Sequence, residues 1–337
     1  MRRAALLATA IVACGAIVSS VSGAESAFPG KNGKIVFDGP GLGIWTAEAD
    51  GSNAKLLVPF APGAGPSGAR FAADGKTFVY RVVGLPKAET LWLASTDGHK
   101  PRQVVAGQLG HSPGFYGYSI SPDGSRVAFS QRVGNGDRDI FVVNADGSGL
   151  VNITNTPSRG ELEPDWSPDG RMIAFVTSIG FARSIDDTSC GGNDELVVVD
   201  AGGQGARSLT SDDICQFTGR WSPDGSRILV HQAGLGFNPS RNEVAIVAVD
   251  GSTPQPVGIP GLRTAGLAVW SPDGQSFLIG STVYPITGGG GTKLAFEGIA
   301  TDWAPAPLVK PKPKAKKPPL CKKGQKPTKK KPCRRRR

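Results

Sequence analysis

One pentapeptide recurs along this chain and restricts what it can fold into. Trp166-Ser167-Pro168-Asp169-Gly170 returns as Trp221-Ser222-Pro223-Asp224-Gly225 and as Trp270-Ser271-Pro272-Asp273-Gly274. Looser copies are Ile120-Ser121-Pro122-Asp123-Gly124 and Phe71-Ala72-Ala73-Asp74-Gly75. A short apolar run follows each copy, as in Phe78-Val79-Tyr80, Val127-Ala128-Phe129 and Ile173-Ala174-Phe175. The aspartates at 74, 123, 169, 224 and 273 are 49, 46, 55 and 49 residues apart. A unit of this size cannot bury an apolar face alone, so the units must stack on one another.

The turn chemistry says what each unit is. Proline presets φ at the second position of a tight turn, aspartate tolerates the third, and glycine takes the position where a side chain would clash. An aromatic before the turn and apolar residues after it make a β-hairpin. A second series of turns interleaves with the first, at Asp50-Gly51, Asp97-Gly98, Asp146-Gly147, Gly202-Gly203, Asp250-Gly251 and Gly288-Gly289. Two hairpins per repeat make four antiparallel strands, which is one propeller blade. Asn32-Gly33 is expected to open the first unit, so the expectation is an all-β, six-bladed β-propeller spanning residues 28–305. Asp302-Trp303 resembles a repeat opening with no strand after it. A lone C-terminal inner strand there would complete blade 1 and remove an open edge.

Composition agrees with many tight turns, since 47 of 337 residues are glycine and no collagen-like period is present. Charge is unevenly placed. The chain carries +10 overall, but from Lys310 onward there are 11 Lys and 4 Arg and no acid, which leaves the rest at −5. Residues 306–337 alternate proline with lysine and then close on arginines, so a disordered tail is expected there. Lys316, Lys317, Lys322, Lys323, Lys329, Lys330, Lys331, Arg334, Arg335, Arg336 and Arg337 would bind polyanions by counterion release. Candidates are anionic cell-wall polymers or lipid headgroups, with nucleic acid only a non-specific partner because the tail has no aromatics for stacking.

At the other end, Arg2 and Arg3 precede an apolar segment and the small residues Ser22-Gly23-Ala24, the pattern of a secretory signal over residues 1–24. Ile11-Val12-Ala13-Cys14 resembles a lipobox and offers lipidation of Cys14 as an alternative. Export permits disulfides. In a four-stranded blade, Cys190 and Cys215 fall in loops on one face and are expected to pair, closing a loop worth on the order of 3 kcal/mol. Cys321 and Cys333 offer a second pairing, within the tail.

The Trp-Ser-Pro-Asp-Gly repeats resemble those of TolB-type β-propellers, periplasmic relatives of WD-repeat propellers. The likeness covers residues 28–305, most strongly in the last three units. That family carries an α/β domain ahead of its propeller, whereas here the first repeat is expected directly after the signal. Related propellers precede the catalytic domain of prolyl oligopeptidases, but no Gly-x-Ser-x-Gly elbow is present.

Just before each repeat aromatic the inner strands carry Arg70, Ser119, Asp165, Arg220, Val269 and Asp302. Two ion pairs across blade boundaries are expected near the central channel, Asp302 with Arg70 and Asp165 with Arg220. Tyr116, Tyr118, Glu161 and Glu163 are expected at the same mouth. On the face that carries the Cys190 and Cys215 loops an acidic set, including Glu89, Asp139, Glu195 and Glu243, invites a cation or basic peptide or is simply a solvated rim. Only His99, His111 and His231 are available, with no metal-ligand spacing among them. No cofactor is implied. The reading is a non-enzymatic, exported binding or scaffold propeller for a protein or peptide. The alternative is a carbohydrate-active propeller enzyme, a polysaccharide lyase or hydrolase.

Overall fold

A computed structural model describes residues 30–84, 89–96, 101–107, 117–133, 137–156, 159–179, 194–210, 214–234, 238–259, 262 and 267–306. The described elements are all strands in a β-propeller arrangement. The first three are β1 (Asn32–Gly39), β2 (Gly43–Ala47) and β3 (Lys55–Val58). β4 (Ala64–Phe71), β5 (Thr77–Gly84), β6 (Glu89–Ser95) and β7 (Arg102–Gly107) form one four-stranded antiparallel sheet. Two further meanders are β8 (Tyr118–Ile120), β9 (Arg126–Val133), β10 (Asp137–Asn144) and β11 (Val151–Asn152), then β12 (Arg159–Trp166), β13 (Met172–Ile179), β14 (Glu195–Asp200) and β15 (Arg207–Ser208). β16 (Ile214–Trp221), β17 (Arg227–Gly234), β18 (Asn238–Ala248) and β19 (Gln255–Val257) form another four-stranded sheet. So do β20 (Ala268–Trp270), β21 (Ser276–Ile279), β22 (Thr282–Pro285) and β23 (Thr292–Lys293). The last strand, β24 (Ile299–Pro305), lies beside β1 in a sheet of order β24-β1-β2-β3.

Six separate blades are therefore not what the hydrogen bonding draws. Four sheets have four strands each, and β8–β15 make one sheet of eight. The join is a single parallel pairing, Arg138 with Gly160, where the start of β10 meets the start of β12. Every other strand pairing is antiparallel. Asn32-Gly33 also departs from expectation. It lies within β1 rather than at a tight turn, because the strand beside it comes from the far end of the chain.

The repeat turns behave as their residues dictate. Gly75, Gly124, Gly170, Gly225 and Gly274 all sit at φ between +62° and +72°, where only glycine is unstrained. Each closes its turn by donating its N–H to the carbonyl three residues back, as Gly170 does to Ser167 at 2.9 Å. The aspartate clamps the turn from inside. Asp123 Oδ1 accepts from the Ser121 hydroxyl at 2.6 Å and from the Ser125 N–H at 3.0 Å. The serine hydroxyl in turn accepts the N–H of Arg126 at 2.9 Å. These bonds stabilise the charged carboxylate and hold the Asp123 pKa below its ordinary value, the Ser121 hydroxyl contributing most.

The core lies between units rather than within them. Trp166, Ile173 and Phe175 pack on Ile140 and Val142 of the preceding meander, and Trp221, Ile228 and Val230 pack on Leu196 and Val198. The same arrangement joins β20 and β21 to β1 and β24, where Val269 and Leu278 meet Ile35, Phe37 and Trp303. This is why one unit cannot stand alone: half of each apolar contact belongs to its neighbour.

Candidate functional site: the central cavity

The inner strands do not run straight into the middle of the molecule. β4, β12 and β16 each carry a bulge just before the repeat aromatic: Ser67–Arg70, Leu162–Asp165 and Gln216–Thr218. A bulge adds a residue, bends the strand and re-aims the side chain that follows. In β4 the extra residue includes Gly68 at φ +71°, but in β12 the matching position is Glu163 at φ +56°. A non-glycine residue held there is strained by on the order of 1 kcal/mol or more. Its side chain is fully buried and bonded to Arg220 Nη2 at 3.1 Å, which offsets the strain.

The six residues that precede the aromatics (Arg70, Ser119, Asp165, Arg220, Val269 and Asp302) all line one cavity of about 90 Å³, a space for only a few water-sized groups. The aromatics that follow four of them, Trp166, Trp221, Trp270 and Trp303, line it as well, together with the turn prolines Pro122, Pro168, Pro223 and Pro272. Sequence reasoning assigned those tryptophans and prolines to turns and missed them as lining. The signal was the pentapeptide itself, which puts an aromatic and a proline beside the same inner-strand end in each repeat.

Ion pairing in the cavity follows expectation for Arg70 with Asp302 and departs from it for Asp165 and Arg220. Arg70 Nη2 bonds Asp165 Oδ1 at 2.5 Å, and Arg70 Nε stands 3.8 Å from Asp302 Oδ2. Arg70 thus reaches past the intervening strand β8, whose residue at this level is the short Ser119. Asp165 does not pair with Arg220; its second oxygen accepts the Trp221 N–H at 2.9 Å. Asp302 likewise accepts the Phe71 N–H at 2.7 Å. The rule that emerges is carboxylate to the next unit's backbone, with the arginines free to choose partners by length. Burial opposes the Arg70 charge, but Asp165 and Asp302 outweigh it and its pKa is raised. For Arg220, burial and the like charge of Arg70 win, and its pKa is lowered despite Asp165 and Glu163. Burial also raises Glu163 and Asp302 above ordinary carboxylate values.

Three residues expected at the mouth are not in the cavity wall. Tyr118 is fully buried, and its hydroxyl donates to the carbonyls of Ser67 and Gly68 at 3.0 and 2.8 Å, pinning the β4 bulge. Glu163 lies behind Arg220. Glu161 is buried, accepts a hydrogen bond from the Thr156 hydroxyl, and is pushed up to about 7, by burial first and by nearby Asp139 as a lesser cause. Tyr116, Cys190, the side chain of Cys215, His99, His111, the signal segment and the tail lie outside the described residues.

The acidic face is more engaged than a solvated rim. Asp139 accepts from Asn152 Nδ2 at 2.5 Å, Glu195 from the Ser208 hydroxyl at 2.9 Å, and Glu243 from Gln232 Nε2 at 2.6 Å. Among the described residues no three His, Cys, Asp or Glu side chains are grouped to hold a metal ion. His231 is buried against the Phe217 ring, 5.3 Å between centroids, and burial lowers its pKa to about 4.

Glu161 and His231 oppose each other in their pH dependence. Glu161 is raised from 4.5 to about 7, so its contribution to stability is complete below 4.5 and is lost as pH rises through 7. His231 is lowered from 6.5 to about 4, so its contribution is complete above 6.5 and is lost as pH falls through 4. Each is worth up to about 3 kcal/mol by its shift. Between pH 4.5 and 6.5 the slopes of these two groups cancel in the parent protein. In urea midpoints measured relative to the parent, Glu161→Gln should add a rise with pH across that window, and His231→Gln should add a fall. Parallel profiles for both variants would show that neither group titrates as its burial requires.

No family model matches the chain. Among curated relatives, the Tol-Pal system protein TolB of Anaeromyxobacter dehalogenans is 32% identical over 134 residues, 37% of this chain and 27% of that protein. The uncharacterized peptidase YuxL of Bacillus subtilis is 32% identical over 115 residues, 33% of this chain and 16% of that one. The chain thus spans well under a third of the length of either relative. Among solved structures, TolB from Acinetobacter baumannii superposes with a TM-score of 0.60 at 19% identity, covering 83% of this chain and 69% of its own.

Proposed function

We propose that this TolB-like β-propeller is an exported, non-enzymatic binding module of a bacterial cell envelope that takes a protein or peptide at its central cavity. The observation that carries this reading is the cavity itself, where the inner strands deliver charged and aromatic side chains to one small opening. Resemblance to proteins named for the Tol-Pal system supports an envelope setting. We count six blades, dividing the eight-stranded sheet at its one parallel pairing and closing the ring through β24 and β1. In this reading residues 1–24 direct export, the Cys190–Cys215 bridge staples the fourth blade, and the basic tail holds the molecule to anionic wall polymers or lipid headgroups.

The test is capture from envelope extract by residues 25–337 and 25–305 in parallel, at low and high salt. A defined protein retained by both at high salt is the expected result. Capture that vanishes with the tail and fades with salt would make the tail the binder and remove the propeller from the reading. An enzymatic reading draws on the likeness to YuxL. It gains no support from His231, which is buried away from the cavity wall. Chelator-sensitive turnover of a polyuronic or wall glycan by the purified protein would be needed to adopt it.

A further inference from the structure

All but one of the indole N–H groups find an acceptor. Trp221 Nε1 donates to the carbonyl of Asp165 at 3.1 Å and Trp270 Nε1 to that of Arg220 at 2.9 Å, each to the residue before the aromatic of the preceding unit. Trp45, Trp92 and Trp303 also donate, to Pro40 O, Thr90 Oγ1 and Gly33 O. Of the six tryptophans, Trp166 alone finds no protein acceptor. Beside it in the cavity wall, the Ser119 hydroxyl also has no hydrogen-bond partner, nor has Nη1 of Arg70, and Arg70 Nε has only the 3.8 Å ion pair with Asp302. These donors belong to β4, β8 and β12, an unbroken arc of the cavity. They are screened from bulk water, where an unmet donor costs about 1–3 kcal/mol.

The acceptors on the same wall are already used. Asp165 accepts from Arg70 and from the Trp221 N–H, and Asp302 from the Trp303 and Phe71 N–H groups. Each carboxylate oxygen on this wall is thus already engaged by a protein donor, whereas the donors of the arc are not matched by acceptors. Charge argues against an anion. Arg70 and Arg220 already face Asp165, Asp302 and the Glu163 behind Arg220, so a further negative charge would enter a site with no surplus of positive charge.

We propose that the arc formed by Arg70, Ser119 and Trp166 is a subsite for an uncharged hydrogen-bond acceptor, the carbonyl of a peptide or carboxamide. It rests on the reading that the cavity receives a peptide, and it identifies the group that enters first. Ser119 explains why the gap lies here. Its side chain is too short to fill the space that Arg70 crosses to reach Asp165, and at the β8–β12 boundary the Trp166 indole N–H is left without an acceptor.

The readout is the indole N–H resonances of the ¹⁵N-labelled full chain, assigned by Trp166→Phe. The probes are N-acetylglycinamide, acetate and methylammonium. N-acetylglycinamide should shift the Trp166 indole N–H saturably downfield and leave Trp221 and Trp270 in place. Ser119→Ala should weaken that binding about tenfold, the loss of one good hydrogen bond, with an unchanged melting temperature. No saturable Trp166 shift with the amide, or a stronger one with acetate or methylammonium, overturns the subsite. Failure of the two readings is separable. A Trp166 response without propeller-dependent capture keeps the subsite and removes the protein partner. Capture at high salt without a Trp166 response does the reverse.

Discussion

Asp165→Ala should be the most damaging single substitution in the cavity, lowering stability by about 3–5 kcal/mol in urea denaturation. The carboxylate serves two strands besides its own, holding Arg70 of β4 at 2.5 Å and the Trp221 N–H of β16 at 2.9 Å. Its removal leaves a guanidinium buried with only the more distant Asp302, and removing one member of a buried pair costs far more than the pair contributes. The companion variant separates charge from packing. Arg70→Met with Asp165→Leu removes both charges together and should recover much of the loss, because apolar replacement of a buried pair is often neutral. If Asp165→Ala instead falls within about 0.5 kcal/mol of the parent, as surface changes do, the arrangement of charges across the cavity described above is wrong.

Ending the chain at Gly298 should have a larger effect still, abolishing a single cooperative transition. β24 contributes Trp303, Ala300 and Ala304 to the apolar clusters on both sides of the first sheet. It also covers the backbone edge of β1 from Asn32 to Asp38. Without it, β1 presents an open strand edge, which is a template for association with other chains. Multi-step unfolding by circular dichroism and concentration-dependent association in light scattering are expected. A monomer with an unaltered single transition would mean that β24 is an accessory strand and that the two chain ends do not close the fold.

The repeat was legible because its information is local. Pro168, Asp169 and Gly170 specify a turn by their own φ preferences and by hydrogen bonds that reach no more than five residues along the chain. The same holds at Asp50, Asp146 and Asp250, whose carboxylates accept the N–H two residues on. The ring of residues that line the cavity was legible for a related reason. Identical units place the residue before each aromatic at the same level, so Arg70, Ser119, Asp165, Arg220, Val269 and Asp302 could be gathered by alignment alone.

Partner choice was legible only in part: Arg70 meets Asp302 as expected, but its shorter contact is with Asp165. Which carboxylate Arg70 meets depends on how far its side chain spans, on the shortness of Ser119 between them, and on bulges that turn each inner strand. Tyr118 and Glu161 were misplaced for the same cause. Inward periodicity says that a side chain faces the middle, but not whether it lines the opening or lies beneath its wall, as both do here at 2% exposure or less. Nor does a repeat count reveal that β10 and β12 touch through Arg138 and Gly160, because that contact depends on the splay between two units and not on either one.

The sequence by itself determined the all-β class, the Asp-Gly turns of the repeat, the repeat length and the six inner-strand residues that line the cavity. Each of these is carried by dihedral preference and by patterns repeated within one unit. Tertiary structure alone decided that Asp165 pairs with Arg70, which donors stay unmet, and how β10 meets β12. Those outcomes depend on distances between units far apart in sequence, such as the 95 positions separating Arg70 from Asp165. No local preference records such a distance.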